Sequence, residues 1–346
     1  MTPKLVAALI LATASICATV VEAVRRFGSG ALLDIPNDRS SHETPTPRGG
    51  GLGIVVGAVV PWGVWAWVAA AFPHAELFAL LAAIGAVTVV SWVDDLRGVR
   101  FPVRLLVHVV AAASITAAFG PFREVGLPGI GGVRLSWLGW PLSLVWLVGL
   151  TNAYNFMDGI DGIAGGVGVV AGLAWWRLAI EAGVPAVGIL ALLLGVGCGV
   201  FLCFNWSPAR IFMGDVGSAP LGLLYAALPL MAAHSAPTAG PWVAVAGAAG
   251  VWPFVFDASY TFVRRLRRGD NVFAAHRTHL YQRMVIAGWS HRRVSGLYVV
   301  MASVSGIAGV ISSGGGAWRG MAGIAAAIAT AMTLWLLTLS LEGAAR

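Results

Sequence analysis

The chain has 346 residues, of which 58% are hydrophobic and only 11% charged, and its mean hydropathy is +0.82. That composition excludes an ordinary water-soluble globular protein and a disordered chain, and it indicates an all-α integral membrane protein. The formal net charge of +7 reflects topology and attraction to anionic lipid, so no nucleic-acid partner is expected.

A run of about 20 apolar residues crosses roughly 30 Å of hydrocarbon at about 1.5 Å per residue. Eleven such runs are found, at 4–24, 51–72, 75–93, 103–119, 135–153, 162–180, 184–204, 219–235, 241–262, 294–313 and 317–340, predicting about 11 transmembrane helices. The first run ends in Arg25-Arg26 without a small-residue cleavage site, so it is expected to stay as a span and not to act as a signal peptide. Forty-five glycines suit close helix packing in lipid. Cys17, Cys198 and Cys203 lie inside spans and offer neither a disulfide framework nor a metal-ligand spacing. With no long linker, soluble domain or internal repeat, residues 1–346 are expected to form a single multi-spanning domain.

If the loops after the odd-numbered spans share one face with the C-terminal tail, that face holds 17 of the 22 Lys and Arg residues and is cytoplasmic by the positive-inside rule. All nine aspartates fall on the same face. Because acidic residues contribute little to orientation, this bias needs a chemical explanation.

Five loops on that face carry it. The first reads DIPNDRSSHETPTPRGGGLG (34–53): prolines restrict the backbone, three successive glycines allow close approach to a ligand, and His42 is a candidate substrate contact. The second places Asp94 and Asp95 side by side at the end of the third span, with Arg97, Arg100 and Arg104 close behind. Adjacent carboxylates repel unless cations compensate, which points to a metal or phosphate site. The third, NAYNFMDGIDGIAGG (152–166), sets Asn152, Asn155, Asp158 and Asp161 at the mouth of a span, although a carboxylate drawn to a helix centre there would cost about 3 kcal/mol. The i, i+3, i+6 spacing of Asn155, Asp158 and Asp161 predicts a shared face on a helical turn. The fourth, FNWSPARIFMGDVGSAPLG (204–222), presents Asn205, Phe212 as an aromatic able to stack a base, and Asp215 between Gly214 and Gly217-Ser218. The fifth (264–283) combines an arginine cluster with His276, Arg277 and His279, donors suited to phosphate or sugar oxygens. Carboxylate and carboxamide oxygens without a Cys/His cage favour Mg²⁺, or Mn²⁺, over zinc.

The order PNDRSSH…TPRGG, DD, NAYNFMDGIDGIAGG, PARIFMGDVGS and a histidine-bearing last loop resembles the polyprenyl-phosphate N-acetylhexosamine-1-phosphate transferases, the MraY/WecA-like superfamily of glycosyltransferase family 4, over roughly 34–293. The resemblance implies transfer of a sugar-1-phosphate from a UDP-N-acetyl-amino sugar to undecaprenyl or another polyprenyl phosphate, with release of UMP. It implies Asp215 as leading Mg²⁺ ligand with Asn155 as companion, Asp158 and Asp161 around nucleotide and diphosphate, Phe212 against uracil, Asp94 and Asp95 near the lipid phosphate, and Arg104 as a phosphate contact. Asn152, Asn205, Arg277, His279 and His42 complete the set of candidate substrate contacts. In the last loop, HRTHLYQ departs from the DRxHxHH of WecA-like relatives: His276 replaces the aspartate and Tyr281-Gln282 the last two histidines. That form resembles the branch that starts O-antigen or capsule chains on deoxy-amino sugars. The setting implied is the bacterial inner membrane, among membrane lipids, with the site facing the cytoplasm and a homodimer left open. A cation-coupled transporter is the rival from another class, since aspartates at span ends also serve ion coupling.

Overall fold

A computed structural model describes residues 2–28, 30–35, 45–127, 131–236, 240–272, 274, 276–313 and 317–344. Thirteen helices follow in chain order: α1 (Pro3–Phe27), α2 (Gly51–Val68), α3 (His74–Arg97), α4 (Phe101–Phe119), α5 (Gly139–Phe156), α6 (Ile163–Glu181), α7 (Pro185–Asn205), α8 (Asp215–Ser235), α9 (Gly240–Ala249), α10 (Trp252–Arg267), α11 (Leu280–Ile286), α12 (His291–Ser313) and α13 (Ala317–Ala344). Two small antiparallel ribbons, β1 (Leu33–Asp34) with β2 (Thr46–Pro47) and β3 (Glu124–Leu127) with β4 (Gly131–Arg134), are the strands among the described residues.

Helices occupy every predicted span, yet among the described residues nine, not eleven, are long and apolar enough to cross a bilayer: α1–α4, α6–α8, α12 and α13. The two differences have local causes. In α5 the last turn is given over to Asn152 and Asn155, which lowers its hydropathy. The ninth run is two helices, α9 and α10, separated at Gly250-Val251 just before Pro253. Proline lacks the N–H that would continue the ladder and disfavours helical backbone in the residue before it. Beyond the break α10 is amphipathic and ends in Arg264, Arg265 and Arg267.

At the centre of the bundle stands α8, every residue of which from Val216 to Ala232 is buried, with α2, α3, α5 and α9 packed around it. A helix apolar on all sides is stable only when enclosed. Close packing at its N-terminal end comes from two glycines, since a Cβ on Gly217 would lie 2.4 Å from the Gly51 Cα. The Gly49-Gly50-Gly51 run lets the chain approach itself closely. Its amides at Gly50 and Gly51 donate to the carbonyls of Phe212 (3.0 Å) and Met213 (2.9 Å).

Gly217→Ala is therefore expected to destabilise the protein by about 1–3 kcal/mol through overpacking, seen as a lower thermal midpoint in detergent. Gly85→Ala, where a Cβ would meet nothing within 4 Å, leaves the midpoint unchanged or raises it.

Candidate active site

Antiparallel alternation brings the ends of α3, α5 and α7 to the same end of the bundle as the starts of α4, α6 and α8. Every candidate residue described lies at this end or in the loops joined to it.

The start of α8 organises the site. Its N-cap is Gly214, at φ +74°, which has no side chain with which to cap the helix. Asp95, buried at the end of α3, does so from outside: its carboxylate accepts from the Asp215 amide (3.1 Å) and the Val216 amide (2.9 Å). A carboxylate there also meets the positive end of the helix dipole. A Cβ on residue 214 would lie 2.6 Å from Asp95 Oδ2, so glycine is required by both backbone and space. Arg48 secures the end of α3 by donating to the Asp95 carbonyl (2.5 Å).

Asp215 is thereby aimed into a polar cluster. Arg104 Nη1 donates to Asp215 Oδ2 (2.7 Å) and to Asp94 Oδ2, joining two carboxylates through one cation. Asp94 Oδ1 accepts from the Val99 amide (2.5 Å). On the other side, Asn155 Nδ2 donates to Asp215 Oδ1 (2.9 Å) and reaches the Ser218 hydroxyl (2.9 Å). Asp158 stands in the turn between α5 and α6, partly buried. Burial, reinforced by the charges of Asp215, Asp95 and Asp161, holds its carboxyl well above the usual carboxylate range. Such a group favours the approach of a cation.

Other predicted residues do different work. The shared helical face expected for Asn155, Asp158 and Asp161 is not formed, because α5 ends at Phe156 and α6 begins after Gly162, at φ +78°. Asp161 is paired outside the Arg104 cluster. Its Oδ2 accepts from the Ala209 amide (3.2 Å) and lies 3.4 Å from His291 Nδ1, tying the turn to the 206–210 loop and to α12. Although burial acts to raise its pKa, His291 and the Ala209 amide outweigh that and hold it below the usual value. Asn205, also buried, uses both ends of its amide on backbone, accepting from Gly162 N (2.9 Å) and donating to Ile211 O (3.0 Å). Asn152 donates to Val148 O (2.7 Å) one turn deeper in α5. Phe212 is fixed through its backbone, with its amide donating to Pro47 O (2.8 Å).

In the last loop, His279 is buried just before α11, its ring centroid 6.3 Å from that of Phe156 and 5.0 Å from that of His276. Burial and the nearby His279 and Arg265 push the His276 pKa down to about 4. Arg277 is partly buried in the same loop, and His42 lies outside the described residues. Arg48 and His291 were not singled out from the sequence. Ser218, one helical turn after Asp215, was read there as a hydroxyl beside a carboxylate, and it meets Asn155.

Residues 77–233, which hold the whole carboxylate cluster, match the family described as Glycosyl transferase family 4. Over 327 residues the chain is 30% identical to a phospho-N-acetylmuramoyl-pentapeptide-transferase of a Synechococcus strain, covering 91% of each chain. The chain belongs to glycosyl transferase family 4. Two further relatives agree. A decaprenyl-phosphate N-acetylglucosaminephosphotransferase of Mycobacterium tuberculosis is 31% identical over 290 residues, 75% of this chain and 70% of its own. A probable undecaprenyl-phosphate N-acetylglucosaminyl 1-phosphate transferase of Bacillus subtilis is 28% identical over 261 residues, 75% of this chain and 71% of its own. The protein is thus a multi-pass membrane enzyme of the phospho-sugar transferase kind.

Two measurements test the architecture of this family 4 site. Asp95→Ala should lower stability by about 1–3 kcal/mol, because two amides at the head of a buried helix lose their acceptor; Asp95→Asn, which keeps an acceptor oxygen, should lose less by thermal unfolding in detergent. The second concerns Asp161, whose folded pKa is depressed. Its stabilising contribution is present above the ordinary carboxylate value of about 4 and is lost as pH falls through the lower folded value. The gap in thermal midpoint between wild type and Asp161→Asn should accordingly close below about pH 4.

Proposed function

We propose that the protein transfers sugar-1-phosphate from a UDP-N-acetyl-amino sugar to undecaprenyl phosphate, or another polyprenyl phosphate, releasing UMP and starting a lipid-linked cell-surface polysaccharide. The observation that carries this reading is the set of carboxylates at one end of the bundle: Arg104 joins Asp94 to Asp215, Asn155 reaches Asp215, Asp95 holds the α8 amides, and Asp158 lies near enough for the charges of Asp215 and Asp95 to act on it. A diphosphate donor and a phosphate acceptor must both be gathered at the membrane surface, and that cluster lies where span ends meet loops.

In the reaction an oxygen of the lipid phosphate attacks the sugar-bearing phosphorus of the donor. The bond from that phosphorus to the bridging oxygen breaks, and UMP leaves with the electron pair. A phosphate monoester with second pKa about 6 is already largely a dianion at pH 7, so the acceptor needs little deprotonation. Asp95 is occupied by the α8 amides, and Asp94 by Val99 and Arg104. Both are better suited to holding cations and backbone in place than to proton transfer. Positioning and charge neutralisation then carry most of the barrier, as is general for phosphoryl transfer. Arg104 is the cation at hand for the acceptor phosphate.

Asp215, with Asn155 beside it and Asp158 near, offers hard oxygen donors that fit Mg²⁺ and accept Mn²⁺. Among the described residues no three His, Cys, Asp or Glu side chains form a metal cage, which suits an ion that takes its remaining ligands from water and substrate phosphates. When bound, the metal supplies charge neutralisation on the diphosphate and on departing UMP. Arg264, Arg265 and Arg267 end α10, close in sequence to the last loop, and support a cytoplasmic site in a bacterial inner membrane. The HLYQ form of that loop favours a deoxy-amino sugar donor of the O-antigen or capsule type. The cluster is assembled from one chain, so a homodimer is not required for it. Family membership and carboxylates gathered at one end leave the cation-coupled transporter reading without support.

Purified protein supplied with Mg²⁺, undecaprenyl phosphate and a panel of UDP-N-acetyl sugars should release UMP, and a chelator should stop it. Asp215→Asn should lower kcat about 100-fold or more while leaving thermal unfolding close to wild type. UDP as the product would exclude the reaction.

A further inference from the structure

Asp257, in the middle of α10, is fully buried within the apolar run WPFVFDASYTF. An uncompensated carboxylate in such a place is strongly disfavoured. Here it is surrounded by donors. Oδ1 accepts from the Leu280 amide (2.8 Å) and the Thr261 hydroxyl (3.1 Å), and lies 3.2 Å from His279 Nδ1. Oδ2 accepts from the Tyr298 hydroxyl (2.6 Å) and the Tyr281 amide (3.2 Å).

The two amides belong to the start of α11, so Asp257 holds that helix from α10 much as Asp95 holds α8 from α3. The imidazole shares in the capping box at the start of α11, facing the Gln282 backbone, but its Nδ1 also lies against the Asp257 carboxylate, which the cap does not require. With a carboxylate as its partner, Nδ1 of His279 carries the hydrogen, and Nε2, across the ring, is the nitrogen left to act elsewhere. The segment is also fastened to the turn that bears Asp158. The Tyr281 hydroxyl donates to the Phe156 carbonyl (3.1 Å), and a Cβ on Gly159 would lie 2.0 Å from that hydroxyl. Gln282 completes the arrangement by accepting from the His279 amide (3.3 Å). Tyr281 and Gln282 thus anchor the loop, and His279 is the ring that the anchor presents.

We propose that Asp257 is a positioning residue for the transfer reaction: it holds His279 as the Nδ1–H tautomer, so that Nε2 faces the phosphate oxygens of the substrates beside the Asp158 turn. This rests on the reading of His279 as a substrate contact.

A double-mutant cycle tests it. Asp257→Asn should lower the rate of UMP release about 10- to 100-fold, the usual range for a residue that orients a functional histidine. In a His279→Gln background the same change should cost less than about 3-fold, because the two act as one unit. Tyr298→Phe, which removes another hydrogen bond of Asp257 without touching His279, should stay within about 3-fold of wild type in either background. Should Asp257→Asn fail to fold, Asp257→Glu, which keeps the charge and displaces it, replaces it in the cycle. Ring ¹⁵N shifts of histidine-labelled protein at about pH 8.5, where an ordinary imidazole is neutral, should show His279 protonated at Nδ1. Protonation at Nε2 alone would overturn the proposal whatever the donor sugar. An active wild type in which Asp257→Asn costs as much without His279 as with it would overturn the positioning role alone. A wild type that releases no UMP from any donor would sink the reaction, and this role with it.

Discussion

The structure depends on how a helix can begin inside a bundle. α8 is enclosed along almost its whole length, so the amides at its head cannot turn to water. Asp95 from α3 satisfies two of them, and Gly214 leaves the space for it. That single contact brings the end of α3 against the start of α8. It thereby sets Asp94, on one side, and Asp215, on the other, within reach of the same guanidinium of Arg104. The Gly51–Gly217 contact keeps α2 close enough for the first loop to pair with the 212–213 backbone. Without the cap, the other distances in the site would have no reason to hold.

A division of labour among polar side chains follows. Asp95, Asp161 and Asn205 have their oxygens turned on backbone amides and serve as braces between loops. Asp94 and Asp215 share the guanidinium of Arg104, Asn155 reaches Asp215 from the other side, and Asp158 lies near enough for the charge of Asp215 to act on it. Asp158 and Asp161 are three residues apart in one turn, yet burial among like charges raises one and a histidine lowers the other. Two carboxyls with opposite environments can divide holding and reacting between them.

The membrane sets the terms for this arrangement. Carboxylates are expensive in hydrocarbon, so a site for diphosphate chemistry on a lipid substrate belongs where span ends meet the surface. Gathering the loops at one end places the charged groups there and leaves the apolar core for packing. The basic end of α10 adds a surface suited to anionic headgroups at that level.

Much could be read from the chain before any coordinates. Apolar runs marked the helix positions because bilayer thickness dictates their length, and the repeated Asp/Asn loops marked the chemistry because nothing structural calls for so many acids at span ends. Three things needed the tertiary structure. The break between α9 and α10 depends on a proline whose effect on a long apolar run is not visible in hydropathy. The Gly49–Gly51 run packs against α3, α7 and the start of α8, because close approach by itself does not say what is approached. Which aspartates face backbone amides and which face Arg104 was decided last, since a carboxylate's partner can come from a helix more than a hundred residues away, as Arg104 does for Asp215.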